Sequence, residues 1–196
     1  MNTAAPALAP LFRSDAQGEI LARLLLNPDR AYSIAELGRI TGTSYASTHR
    51  EVQRLIRAGL LEEHRVGRHH QLRADTTSPA YRPLTELLLL TYGPATVIPR
   101  VLVGVPGINE VYIYGSWAAR RTGEPGSPPG DVDVLVVGDP PRSAIYEAAD
   151  EAEAALGREV SIRVVSAGTW AAATDPFIKT VRGRPLVALT PLGEDA

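Results

Sequence analysis

Val111-Tyr112-Ile113-Tyr114-Gly115-Ser116-Trp117 and, further on, Asp131-Val132-Asp133-Val134-Leu135-Val136-Val137 stand out in this chain. Both are short apolar runs rich in Val, Ile and Tyr, the signature of strands. A Gly-Ser pair ends the first, and two aspartates alternating with Val open the second. Side chains alternate faces along a strand, so Asp131 and Asp133 point the same way, about 7 Å apart. Two like charges so placed repel, and a plain core would not arrange them. A pair of Mg²⁺ ions removes the difficulty, because hard cations take carboxylate oxygens and leave coordination positions for phosphates. Two such ions can clamp the attacking and leaving oxygens of a nucleotidyl transfer. Asp131 and Asp133 are the candidate metal-binding and catalytic residues; the plainer alternative is that Asp131 follows a Gly in a turn and Asp133 sits at a strand edge.

The order strand, Gly-Ser, loop and hydrophobic-flanked Asp-x-Asp resembles the DNA polymerase β-like nucleotidyltransferase superfamily, in particular its minimal bacterial members. The resemblance implies that Gly115 and Ser116 hold the triphosphate, with turn amides cradling the anion, and that Asp131 and Asp133 hold Mg²⁺. Arg120 and Arg121, just after the turn, either reach phosphates or are ordinary surface. The chain departs from the family pattern in two places. The segment Arg121 to Gly130 (R-T-G-E-P-G-S-P-P-G) is longer than usual. The later strand, Glu159-Val-Ser161-Ile-Arg163-Val-Val, has Ser161 where the family has a third carboxylate that binds metal and accepts the proton of the attacking hydroxyl. Serine is neither a carboxylate ligand nor a base near pH 7. Glu159 lies on the same face by the period of two, one pair of residues displaced, and is a candidate to substitute.

The bulk numbers exclude several classes. The 196 residues can form one large domain or two small ones, and an apolar fraction of 44% is ample for packed cores. With no cysteine there are no disulfides or thiolate metal sites. No run approaches the roughly 18 apolar residues of a membrane span. The start, Met-Asn-Thr-Ala-Ala-Pro-Ala-Leu-Ala-Pro, lacks the basic region of a signal peptide and reads as a loose tail. The expected location is the cytoplasm. The net charge of −2 is unevenly spread: Ser44 to Arg73 holds six Arg against three Glu, hence +3.

That basic stretch sits in a recognisable order of elements. Ser14 or Asp15 can cap a helix bearing Ile20, Leu21, Leu24 and Leu25 at helical spacing. Ser33 and Glu36 form a capping box for a second, short helix, which stops at a turn near Thr41-Gly42-Thr43. A third helix runs from Ser44 to about Ala58 with Val52, Leu55 and Ile56 inward and Gly59 as its C-cap. Leu60 to Val66 and His69 to Arg73 read as a hairpin around Gly67-Arg68.

Over about residues 12 to 75, with S-I-A-E-L-G-R-I-T-G-T-S-Y-A-S-T-H-R-E-V-Q-R-L-I-R-A-G-L-L carrying the likeness, the chain resembles winged-helix bacterial regulators of the arsenic-repressor and multiple-antibiotic-resistance-regulator kind. Ser44, Tyr45, Ser47, Thr48 and Arg50 fall on the early part of the third helix, where a recognition helix meets base edges and phosphates. Arg54 and the hairpin's Arg65, Arg68, His69 and His70 can neutralise backbone phosphates. The four histidines invite a zinc reading, but the lack of Cys and of a tight His-x₃-His pair on one helix face argues against it. The resemblance implies double-stranded DNA as partner and a homodimer reading a palindromic site.

Residues 74 to 83 are a polar, Pro-punctuated link. Leu84 to Tyr92 is a helix apolar nearly all round and expected to be buried, either in a dimer interface or between domains. Ala95 to Val103 is a further helix. Beyond the second strand, Ser143 caps a helix to Leu156. Ser166 to Ala173 and Asp175 to Val181 are short helices, the latter with Pro in its first turn, and Pro185 to Leu189 is a last strand. The expected architecture is α/β and two-domain. A tail (1–11) leads to a winged helix-turn-helix of helices plus a hairpin wing (12–75). A linker with helices (76–104) then joins a nucleotidyltransferase-like α/β domain with a small mixed sheet (105–196). The function that follows is a transcriptional regulator whose second domain is degenerate or senses a nucleotide. Its rivals are an active Mg²⁺-dependent enzyme moving a nucleoside monophosphate from an NTP to a hydroxyl, and a DNA-tethered antitoxin-type protein paired with a toxin.

Overall fold

The structure, a computed structural model, describes residues 11–67 and 69–189, with the side chains of Val66 and His69 outside the description. It divides into two compact units at Gly93/Pro94.

In the first unit, α1 (Asp15–Leu25) starts where Ser14 Oγ accepts the Gln17 amide. The helix α2 (Ile34–Ile40) carries the complete capping box, with Ser33 and Glu36 each satisfying the other's backbone amide. The third helix, α3 (Tyr45–Arg57), is capped by Ser44 and ends at Ala58. There the chain turns through Gly59 at φ +67, with Gly59 N–H donating to Ile56 O and Leu60 N–H to Leu55 O at 2.9 and 3.0 Å. This is the Schellman pattern, in which a left-handed residue just past the cap satisfies the last carbonyls. An antiparallel hairpin of β1 (Leu61–Val66) and β2 (His69–Ala74) follows, and a bridge from Tyr32 to Leu72 ties it to the chain entering α2. The helix α4 (Tyr81–Tyr92) closes the unit against α1. Ile20, Leu24, Leu37, Val52, Leu72 and Leu88 are fully enclosed and form the core. Burying each such side chain is worth roughly 1.5–3 kcal/mol.

The second unit opens with α5 (Pro94–Leu102) and β3 (Ile108–Tyr114). The short α6 (Gly115–Arg121), β4 (Asp131–Gly138), α7 (Arg142–Leu156) and β5 (Glu159–Val165) follow. Then come α8 (Ala167–Ala172), α9 (Pro176–Arg182) and β6 (Val187–Leu189). Among the described residues the sheet runs β5-β4-β3-β6. The β4/β5 pair, joined by the α7 crossover, is parallel and the other pairs are antiparallel, so the sheet is mixed. The two faces have different fates. Val132, Val134, Val136, Val111 and Ile113 pack with Val97 and Ile98 of α5 and with Ile145, Ala148 and Ala152 of α7. On the other face Leu135 and Val137 lie under Trp170 of α8 and Ile178 and Val181 of α9. That cover stops short of the start of β4, where Asp131 is exposed and Asp133 half-buried.

Several expectations are corrected. The α7 helix is not capped by Ser143: it begins at Arg142 behind Pro141, whose fixed φ of −58 leads the chain in without a side-chain cap. The α3 cap is Ala58, with Gly59 one residue beyond it. The link ends three residues early, since Tyr81-Arg82-Pro83 form the first turn of α4, where proline's missing amide costs nothing. The α4 helix is not buried all round: Leu88 and Thr91 are enclosed, while Leu90 is 57% exposed. Its composition is apolar on every side, but a single helix offers one stripe to one neighbour, here α1.

Candidate functional site

The first candidate surface is α3. Tyr45 is 61% exposed and its ring stacks on that of His49, centroids 6.2 Å apart at 22°. Ser44, Ser47, Arg50 and Arg54 are exposed beside them. Arg50 Nη2 donates to Ser47 Oγ at 3.3 Å, and Arg54 pairs with Glu51 at 3.1 Å. Glu51 in turn accepts from Gln17 Nε2 of α1 at 2.7 Å, which fixes the helix against its neighbour. Thr48 departs from its expected place. It is 1% exposed, its hydroxyl donating to Ser44 O at 3.0 Å and bonding Thr43 Oγ1 at 2.8 Å. It belongs to the inward stripe of Thr48, Val52 and Leu55, a spacing visible in the sequence, and it holds the turn between α2 and α3 instead of facing out. His49, absent from the sequence-based set, takes its place on the outer face, one helical turn beyond Tyr45.

The hairpin carries carboxylates beside its basic residues. Arg65 Nε donates to Gly67 O at 3.1 Å. His64 pairs with Glu62 and His70 with Glu63, at 2.9 and 3.0 Å. Such exposed pairs contribute little to stability, but they place carboxylates on the wing. Arg68 lies outside the described residues, as does the side chain of His69.

The second candidate is in the other unit. The strand β3 ends at Tyr114, and Gly115 at φ +71 turns the chain into α6, whose Trp117, Ala118 and Ala119 are buried. That turn lies against β4. A Cβ at position 115 would run into Asp133 Oδ2 and stand 3.2 Å from its Cγ. Ser116 Oγ is 3.5 Å from Asp131 Oδ1, at the outer limit of a hydrogen bond. Gly115, Ser116, Asp131 and Asp133 are thus brought together, across the long loop that separates them. Arg120 points into that loop: Nη1 donates to Glu124 O at 2.6 Å, and its guanidinium fills the space beside Gly126, 2.5 Å from where a Cβ would be. It ties the loop down.

The parallel register sets Glu159 opposite Asp131 and Ser161 opposite Asp133. All four share one face. Asp133 has its carboxyl held above the ordinary range, first by burial and then by Asp131 and Glu159. Tyr114, opposite Asp133, has its phenol raised by burial and by that same carboxylate. Glu159 is near enough to be felt, yet among the described residues no three acidic or histidine side chains converge as metal ligands. Two carboxylates beside a glycine turn still suit Mg²⁺, which is ordinarily held by one or two carboxylates plus water and substrate phosphates. Asp131 and Asp133 would hold it.

Neither a curated protein nor a solved structure matches the chain. A family model described as "MarR family" matches residues 14–71, a span running from the α1 cap through α2 and α3 into the hairpin's second strand. The N-terminal unit therefore carries a MarR-family winged-helix domain.

Proposed function

We propose that the protein is a DNA-binding transcriptional regulator, acting as a homodimer, whose second unit is nucleotidyltransferase-like and senses a Mg²⁺-bound nucleotide without turning it over. The observation that carries the first half is the outward face of α3. A capped, well-anchored helix presents Tyr45, Ser47, His49, Arg50 and Arg54 to solvent inside the span that matches the MarR family. Hydroxyls, an imidazole and guanidinium groups on the exposed face of a recognition helix are the chemistry that reads base edges and phosphates. The second half is supported by the Gly115–Ser116 turn lying against Asp131 and Asp133. Ser161 opposite Asp133 favours binding over turnover, since no carboxylate occupies that register position.

An active Mg²⁺-dependent nucleotidyltransferase is the second reading, favoured by Glu159 standing opposite Asp131 on the same face. Selection of bound sequences from a random duplex pool tests the regulator. Enrichment of one discrete site supports it, and recovery of unenriched sequence at physiological salt overturns it. Pyrophosphate release from an NTP with Mg²⁺, abolished by Asp131→Asn plus Asp133→Asn, would put the enzyme reading first.

A further inference from the structure

Arg163 is the feature of the second unit that the proposed function leaves unused. It follows Ser161 by two on β5, opposite Leu135 of β4, so it projects from the face that carries Asp131 and Asp133. It is exposed, yet its position is set: the guanidinium lies 4.0 Å above the Phe177 ring centroid. Phe177 is itself fixed edge-on against Tyr114, centroids 5.7 Å apart at 81°, and Tyr114 is the cross-strand neighbour of Asp133. Among the described residues Arg163 forms no ion pair. An arginine on an aromatic face keeps its N–H fork flat and available, which suits two-point recognition of phosphate or carboxylate.

We propose that Arg163 is the anion-recognising residue of the Asp131/Asp133 site, and that the ligand class is a metal-bound polyphosphate, with the cation at the aspartates and phosphate oxygens at Arg163. This rests on the reading of that site as one for a Mg²⁺-nucleotide and adds the group that selects its phosphates. The charge pattern argues for it. Carboxylates on this face repel a bare phosphate, and a bare cation has no use for the guanidinium. A ligand that carries both signs satisfies both ends. Arg182 is a built-in comparison. It lies 4.2 Å over the Trp170 ring, and Trp170 packs on Tyr112, which is opposite Leu135 and one step further from the aspartates. It has the same stacking chemistry away from the site.

The experiment is calorimetric titration of the full chain, in Mg²⁺, with inorganic triphosphate and with ATP, GTP, CTP and UTP, repeated for Arg163→Ala, Arg163→Lys, Arg182→Ala and Asp131→Asn plus Asp133→Asn. Loss of a charge-assisted contact predicts that Arg163→Ala weakens triphosphate binding by about tenfold or more. Arg163→Lys, which keeps the charge but not the fork, falls between it and wild type, and Arg182→Ala stays within about twofold. Thermal unfolding of each variant verifies folding, and Arg163→Lys carries the test should Arg163→Ala unfold. Wild-type affinity in Arg163→Ala and Arg163→Lys alongside loss in the aspartate variant overturns this inference and leaves the site reading standing. No binding of any polyphosphate by wild type overturns both.

Discussion

Gly115 and Asp133 are packed so closely that position 115 has no room for a side chain: a Cβ there would overlap Asp133 Oδ2. The backbone is also left-handed, at φ +71. Two independent constraints therefore demand glycine, one from sterics within the residue and one from its neighbour.

Gly115→Ala must strain the turn and push the Asp133 carboxylate aside. A left-handed non-glycine residue alone costs on the order of 1–3 kcal/mol. The expected outcome is a lower unfolding midpoint for the second unit and loss of Mg²⁺-polyphosphate binding. Gly123→Ala is the comparison: it too has positive φ, 95°, but open space around its Cβ, so it loses stability without losing ligand. Equal ligand binding by Gly115→Ala and wild type would show that Asp133 takes no part.

The Asp133 carboxyl, raised by burial and by Asp131 and Glu159, makes a signed prediction. A carboxyl whose folded pKa exceeds its unfolded value, about 3.9, favours the folded state most when protonated. Its penalty is absent below the unfolded value and grows as pH rises through the folded one. Asp133→Asn should then be more stable than wild type at neutral pH without metal, with the gap closing on acidification. Mg²⁺ should raise the midpoint of wild type and not of the variant. Midpoints that differ by the same amount at every pH would contradict the like-charge account.

Glu36 carries the opposite sign. The Ser33 amide and hydroxyl hold its carboxyl below the ordinary range, so its contribution is present above the unfolded value and fades as pH falls through the lower folded one. Ser33→Ala should cost about 1 kcal/mol, as for other N-cap hydroxyls. Glu36→Gln should flatten the acid limb of the stability profile. Chemical unfolding of the first unit between neutral and acidic pH reads both, and an unchanged acid limb in Glu36→Gln would rule the capping box out as its source.

Much of the winged helix was legible because its signals are local. Ser33 and Glu36 are three apart, Gly59 follows the last apolar turn of α3, and the hairpin straddles Gly67. The period of two likewise grouped Asp131 with Asp133, and Glu159 with Ser161 and Arg163, within their own strands, while the parallel register that sets the two groups on one face is seen in the structure. What was not legible depends on partners distant in sequence. Phe177, beneath Arg163, is fourteen residues away on another element. Leu90 is as apolar as Leu88, and only the packing of α4 on α1 separates the exposed side chain from the buried one. Thr48 was misplaced for a different reason. Its polarity suggested solvent, while its spacing to Val52 and Leu55 already put it inward.

The α3 surface makes the most direct claim, and the measurement for it is a fluorescence-anisotropy titration of a selected duplex, against salt, with wild type, Arg50→Ala and Arg54→Ala. Among the described residues the Arg50 side chain bonds Ser47 alone, and Arg54 pairs with a Glu51 that Gln17 also holds, so neither substitution should unfold the helix. If α3 lies on DNA, each variant binds about tenfold more weakly near 0.15 M salt and its log–log salt slope falls by about one. Both binding as tightly as wild type, with the same slope, would contradict the assignment of α3 as the surface that reads DNA.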